Sequence, residues 1–407
     1  MRTIRVGSRK SQLALVQTQL AIDMLARRNP ALQFEVVQIS TTGDKILDVA
    51  LSKIGDKSLF TKELECALLN GTVDFVVHSL KDVPTTMPSG LVLGCVFDRC
   101  SPDDVVLMST PYRGCRLSDL PNGAVVGTSA LRRVATLTRL YPHLKFVSVR
   151  GNLNTRLRKL DGNHQHGENT TDFDRNPHSS VRYDALILAQ AGVLSDTFHA
   201  VGQGALTCEC RKDDGFMLSV LSDLHNECAA LSSIAERSLM CHLEGGCSTP
   251  IGVRHSLTPS DGHPRMLELK ANVLSIDGRR CVGASLITEL PDELPLGGKR
   301  RYSSQENGNP LQKSARLESG GSNSSPNFTT CSSWLLSEPS SDELALANDS
   351  SATFMGIHVD PICTVARLRM ARAESVGRVL ANKLLACGAA EILDEIRSTT
   401  APSVKNV

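Results

Sequence analysis

The sequence is poor in aromatic side chains and carries almost no net charge. Phe, Trp and Tyr make up 4% of its 407 residues, and 44 basic residues against 43 acidic ones leave +1. A surface that reads nucleic acid by stacking and phosphate contact needs aromatic rings and net positive charge together, so no nucleic-acid partner is expected. No apolar run approaches the ~20 residues that cross a bilayer, so no membrane partner is expected either. The opening MRTIRVGSRKSQLAL turns strand-like at once, from which no secretory leader and a cytoplasmic location are expected. None of the 13 cysteines forms a CxxC pair or a Cys/His spacing of the metal-binding kind, and the odd count suits reduced thiols. AVGQGAL (Ala200–Leu206) lacks the GxGxxG spacing and GDKS lacks the rest of a P-loop, so neither a dinucleotide nor ATP is expected.

What is present is an alternation. TIRVGS, FEVVQIS, DFVVHS, AVVGTS, KFVSVR and DALILA are short β-branched runs, the later ones reading as buried parallel strands. Helix-spaced segments lie between them, with Leu13, Val16, Leu20 and Met24 marking the first. Strand, loop, helix, strand predicts a doubly wound α/β architecture with ligands at the carboxyl ends of the strands. The length implies two or three domains. We expect a first domain over 1–99 and 200–225, a second over 100–199, and a small α+β domain over 226–407. In the last, three strand-like runs and an Asp-Gly turn precede a helix that closes at Gly388. Glu289–Ser351 is rich in Ser, Asn, Gly and Pro and reads as a disordered insertion, as does Asp161–Arg182, whose three histidines more simply belong to a solvated loop.

Charge is balanced overall but not locally. Gly127–Leu160 holds Arg132, Arg133, Arg139, Lys145, Arg150, Arg156, Arg158 and Lys159 and no acid. Arg132 and Arg133 follow one strand and Arg150 ends another, where a solvated helix face does not explain them. Thr128 and Ser129 stand where they would cap the following helix. Guanidinium groups pair bidentately with carboxylates, so the stretch predicts a cleft for a ligand with several carboxylates or phosphates. VVHSLKDVP puts Ser79, Lys81 and Asp82 beyond a strand end. Asp82 there suits general acid/base work or a counter-ion to a developing cation. GSRKSQ places Arg9, Ser11 and Gln17 at the first strand–helix junction. Finally, HLEGGCSTPIGV sets Cys247 behind two glycines in a loop, as suits a thiol that something large must reach.

Taken together, RVGSRKSQLAL, STTGDKIL, GDKSLFTKELE, VVHSLKDVPT, VVGTSALRR, RGNLNTRLRKL, AVGQGAL and HLEGGCSTPIGV resemble the hydroxymethylbilane synthase (porphobilinogen deaminase) family over most of Arg2–Val253. The resemblance implies two periplasmic-binding-protein-like domains plus a third α+β domain, acting as a monomer. It implies that four porphobilinogens are joined head to tail with loss of ammonia, on a dipyrromethane held through a thioether by Cys247. Residue by residue it assigns Asp82 to catalysis. It assigns Ser79, Lys81, Ser129, Arg132, Arg133, Arg156, Gln203 and Gly204 to the cofactor, and Arg9, Ser11, Gln17, Arg133 and Arg150 to substrate carboxylates. It implies no metal. Ala130 stands where the family usually has serine. AQAGVLSDTFHAVGQGAL reaches the glycine segment sooner than the family does, without a helix and a substrate-binding arginine, which leaves a two-lobed anion-binding protein without catalysis as the alternative.

Overall fold

The computed structural model describes residues 2–45, 58–162, 181–189, 198–244, 249–258, 265–294, 328–330, 334–336, 339–350, 352–358 and 362–400. Three sheets organise them. The first contains β1 (Arg2–Arg9), β2 (Leu32–Ile39), β3 (Phe75–Ser79), β4 (Leu91–Val96) and β9 (Leu206–Arg211), in the order β2-β1-β3-β9-β4. β1 runs parallel to β2 and β3, whereas β9 is antiparallel to β3 and β4. The second sheet contains β5 (Asp104–Met108), β6 (Val125–Gly127), β7 (Lys145–Val147) and β8 (Ala185–Ala189), in the order β5-β8-β6-β7, with β5 antiparallel. The chain enters the second sheet after β4 and returns to the first through β9, so each lobe is a mixed sheet, parallel except where a crossing strand joins it.

Helix α1 (Gln12–Arg28) forms where its spacing predicted, but it buries another face. Thr18, Ala21, Ile22 and Leu25 pack inward, while Leu13, Val16 and Leu20 are 52%, 62% and 47% exposed. Apolar residues occur almost all round this helix, so periodicity established the helix without choosing the face.

The third sheet is a meander of β10 (Ile251–Leu257), β11 (Arg265–Leu274) and β12 (Cys281–Leu290), with Asp277-Gly278 in the β11–β12 turn as expected. Helices α7 (Glu227–His242) and α9 (Thr364–Leu384) pack on it and form the largest apolar core. One expectation fails here. Glu289–Ser351 is not structureless throughout. β12 runs to Leu290, β13 (Phe328–Thr330) and β14 (Trp334–Leu336) pair with it, and α8 (Ser341–Asn348) follows. The SSDE tetrad is a capping box, in which Ser340 and Glu343 exchange bonds with each other's backbone N–H. Glu343 is buried against Arg372 of α9 at 3.2 Å, which anchors this helix despite its polar surroundings. The long helix does close at Gly388, whose φ of 104 breaks it as expected, and a further helix, α10 (Ala390–Thr400), follows and buries Ile392, Leu393 and Ile396. Ten cysteines are free among the described residues, but Cys387 is disulfide-bonded, against the expectation of uniformly reduced thiols.

The two passages between the first and second sheets lie side by side. Phe97 N donates to Leu206 O at 3.0 Å and Cys100 N to Gly204 O at 3.1 Å. Gly204 has φ +85, and a Cβ there would sit 2.4 Å from the Cys100 carbonyl oxygen. Gly204→Ala should therefore combine left-handed strain with a backbone clash and lower stability by about 3 kcal/mol. A thermal melt equal to the native one would refute this account of the crossing.

Candidate active site

β3 delivers His78 and Ser79 to the cleft edge, and a single 3-10 turn, Leu80–Asp82, carries Lys81 and Asp82 beyond it. The turn is clamped on both sides. Leu80 N donates to Ala205 O at 2.9 Å, and Arg237 of α7 donates to the carbonyls of Val83 (3.2 Å) and Pro84 (2.7 Å). Beneath it, buried His78 bonds Glu209 of β9 at 3.0 Å. The Asp82 side chain is 31% exposed and stands 3.8 Å from Arg9 Nη1. Arg9 also grips Asp44 through two N–H groups and lies over the Phe60 ring at 4.2 Å. Burial alone would raise Asp44, but Arg9 and Thr41 bonds outweigh it and hold the carboxyl below its ordinary value. Gln17 donates to Ser79 Oγ at 3.2 Å, while Ser11 caps α1 by accepting from Ala14 N at 3.3 Å. Arg9, Gln17, Ser79, Lys81 and Asp82 thus meet at one edge. Ser11 adjoins them with its hydroxyl engaged in the cap.

The second lobe brings α4 (Leu131–Leu140) and α5 (Leu153–Leu160) to the same cleft, and exposed Asn154 of α5 donates to Gln12 of α1 at 2.7 Å across it. The residue capping α4 is Ala130, with no side-chain bond, and not Thr128 or Ser129. Ser129 Oγ bonds the Val149 carbonyl and lies 3.1 Å from Ser148 Oγ instead. Arg132 and Arg133 are buried and share Asp104. Arg132 Nη2 is 2.9 Å from Oδ2 and Arg133 Nη2 is 2.7 Å from Oδ1, and Arg132 also reaches the Phe198 carbonyl. Burial opposes ionisation of Asp104, yet the two guanidiniums hold its carboxyl down at about 2. Gln203 donates to the same Asp104 at 2.9 Å and to the Pro102 carbonyl, so it locks the crossing strands together. These contacts make Arg132, Arg133 and Gln203 part of the frame between the lobes.

Four cations remain in electrostatic contact around the turn. Burial lowers Lys81 from its ordinary value, with Arg133 and Arg156 adding to the effect and Asp82 and Asp104 opposing it. Burial also lowers Arg156, aided by Arg133 and Arg150, and burial lowers Arg150. Arg156 is oriented by its Nε donating to the Gly151 carbonyl at 2.8 Å.

Sequence reasoning missed Asp44, Asp104, Arg99, Glu236 and Arg237. Arg99 and Glu236 form a buried pair at 2.9 and 3.0 Å that joins the crossing strands to α7. A signal existed for Asp104, since an acid-free basic stretch needs counter-charge from outside itself. Cys247, residues 193–197 of the shortened 193–200 connection, and His164, His166 and His178 lie outside the described residues, as does most of the Asp161–Arg182 insertion.

The family model for the dipyrromethane-cofactor-binding domain of porphobilinogen deaminase matches residues 4–219, and the model for that enzyme's C-terminal domain matches 230–296. The chain belongs to the porphobilinogen deaminase family. Porphobilinogen deaminase from Synechococcus elongatus is 48% identical over 310 residues, 73% of this chain and 90% of that one. The Dictyostelium discoideum protein of the same name is 44% identical over 298 residues, 69% and 87% of the two chains. Among solved structures, the VFT2 domain of Bordetella pertussis BvgS covers 57% of this chain and 93% of its own at 14% identity and a TM-score of 0.32, too low to add to the sheet orders above.

Proposed function

We propose that this chain is a hydroxymethylbilane synthase, a transferase of tetrapyrrole and haem biosynthesis. It condenses four porphobilinogens head to tail, releasing one ammonia from each, and one water supplies the terminal hydroxyl of the linear hydroxymethylbilane. The observation that carries the reading is the Asp82 carboxylate, 3.8 Å from Arg9 and in electrostatic contact with Lys81, which Arg133 and Arg156 also approach, in a chain that spans nine-tenths of a porphobilinogen deaminase.

The residues present fit a dipyrromethane. Each pyrrole bears an acetate and a propionate, and the cation cluster supplies the counter-charge that its burial calls for. When bound, the cofactor supplies the free pyrrole α-carbon that attacks the incoming unit. We assign its thioether attachment to Cys247. Lys81, Arg133 and Arg156 then face the cofactor carboxylates, while Arg9 and Arg150 take those of the arriving porphobilinogen. Arg132, Gln203 and Gly204 support this arrangement from behind through Asp104 and the crossing strands.

Departure of ammonia leaves positive charge on the porphobilinogen methylene and ring nitrogen. Asp82 accepts from pyrrole N–H and lowers the energy of that charge, then takes part in moving the α-proton that is lost after the new bond forms. The turn holding Asp82 is fixed by Ala205 and Arg237, so little reorganisation is needed during the step. We further propose a cytoplasmic monomer with no nucleic-acid or membrane partner. In support, no helix among the described residues is long and apolar enough to cross a bilayer.

The test is stoichiometric. Purified chain incubated with porphobilinogen should release one ammonia per porphobilinogen consumed, with catalytic turnover. Porphobilinogen bound without ammonia release would favour the non-catalytic, anion-binding alternative.

A further inference from the structure

Where the crossing strands meet the third sheet, the fold assembles three ligand-type side chains that the pyrrole chemistry does not use. His199 precedes the glycine segment, Glu236 lies on α7 and His255 on β10, and their ligand atoms all fall within 4.8 Å of one another. His199 Nδ1 is 3.1 Å from the Ala200 carbonyl oxygen, so its proton sits there and Nε2 carries a bare lone pair. His199 is 2% exposed, and that Nε2 has no hydrogen-bond partner and stands 3.9 Å from Glu236 Oε1. His255 Nδ1 approaches the same oxygen at 2.8 Å, and the two imidazoles meet edge to face at 5.6 Å. A buried nitrogen left without a partner is costly.

We propose that His199 Nε2, Glu236 Oε1 and His255 Nδ1 form a binding site for a divalent cation of the zinc class, separate from the pyrrole cleft. Two imidazoles and a carboxylate with a fourth position left to water match zinc, while calcium and magnesium demand more oxygen ligands. In the metal-free chain His255 Nδ1–H donates to Glu236. The cation takes the place of that proton, which moves to His255 Nε2, and the side chain, 18% exposed, leaves room for the exchange. The Ala200 carbonyl then orients His199 as an outer partner. Arg99 sets the affinity. It holds both Glu236 oxygens, so the cation must share Oε1 with a guanidinium, which weakens binding. The backbone is already in register, since His199 and Val253 exchange N–H···O bonds of 2.8 and 2.9 Å. The metal therefore staples the lobe-crossing segment to the third sheet.

The test uses full-length holoenzyme titrated with cobalt(II). The expected result is a visible d–d absorption, saturating at one cobalt per chain, without the near-ultraviolet band of thiolate ligation that the free cysteines would give. His199→Gln and His255→Asn should each weaken cobalt binding at least about 10-fold, as loss of a ligand does. Zinc at about 100 times its dissociation constant should raise the native melting temperature by about 4 °C, and this shift should vanish in both variants. If His199→Gln melts early without metal, His255→Asn decides the matter. Absence of the visible band in the native chain, a thiolate band alone, or undiminished binding in the variants overturns the proposal.

Discussion

Cys247→Ala should emerge at the mass of the bare polypeptide and show no turnover, whereas the native chain, expressed with porphobilinogen available, should carry the added mass of two porphobilinogens less two ammonia. The expectation rests on how the loop is held at its ends. Leu243, 1% exposed, closes α7, and its carbonyl accepts from Arg397 of α10 at 3.4 Å; Ile251, 2% exposed, starts β10 on the far side. The same helix carries Arg237, which clamps the Asp82 turn, and six residues of rise separate Arg237 from Leu243, about 9 Å. The helix that leads into the Cys247 loop is therefore the one that clamps the Asp82 turn. Intact-mass spectrometry of native and variant chains reads the result directly. A native mass without the adduct would remove Cys247 from the reaction.

Asp82→Asn is the second large effect. Asparagine keeps the shape and loses the charge, so the variant should acquire its cofactor and bind porphobilinogen with little change in KM. Its kcat should fall about 10²–10⁴-fold, the range associated with removing a positioned acid/base or a charge-stabilising group. The 3-10 turn should survive, because its clamps are backbone carbonyls and not the carboxylate. Kinetics on variant protein with verified cofactor content separate the two contributions. A kcat within a factor of about two of native would show that another group manages the developing charge.

The strands, the α/β architecture and the Asp82 turn were legible because each rests on local pattern, with β-branched runs, helix spacing and a polar cluster at a strand end, whereas the two-lobed plan came from the family resemblance. The buried face of α1 was not legible, since Leu13 and Ile22 are equally apolar and only the sheet distinguishes them. α8 was hidden by composition, although Ser340 and Glu343 already formed a readable cap. The basic stretch was correctly seen as exceptional, but its arginines divide into two kinds only in three dimensions. Arg132 and Arg133 answer to Asp104, whereas Arg150 and Arg156 stand beside other cations. Likewise, no chelating spacing links residues 199, 236 and 255, which belong to three elements that meet only after folding.

Both covalent routes between the first two lobes pass through one narrow place, as neighbouring ribbons tied by Phe97–Leu206 and Cys100–Gly204 bonds. Paired ribbons of this kind resist stretching and sideways shear but fold readily across their width. For an oligopyrrole that lengthens one unit at a time, the expected response of such a junction is a pivot of the lobes, like the covers of a book, with Gly202 (φ +70) and Gly204 (φ +85) along the crease.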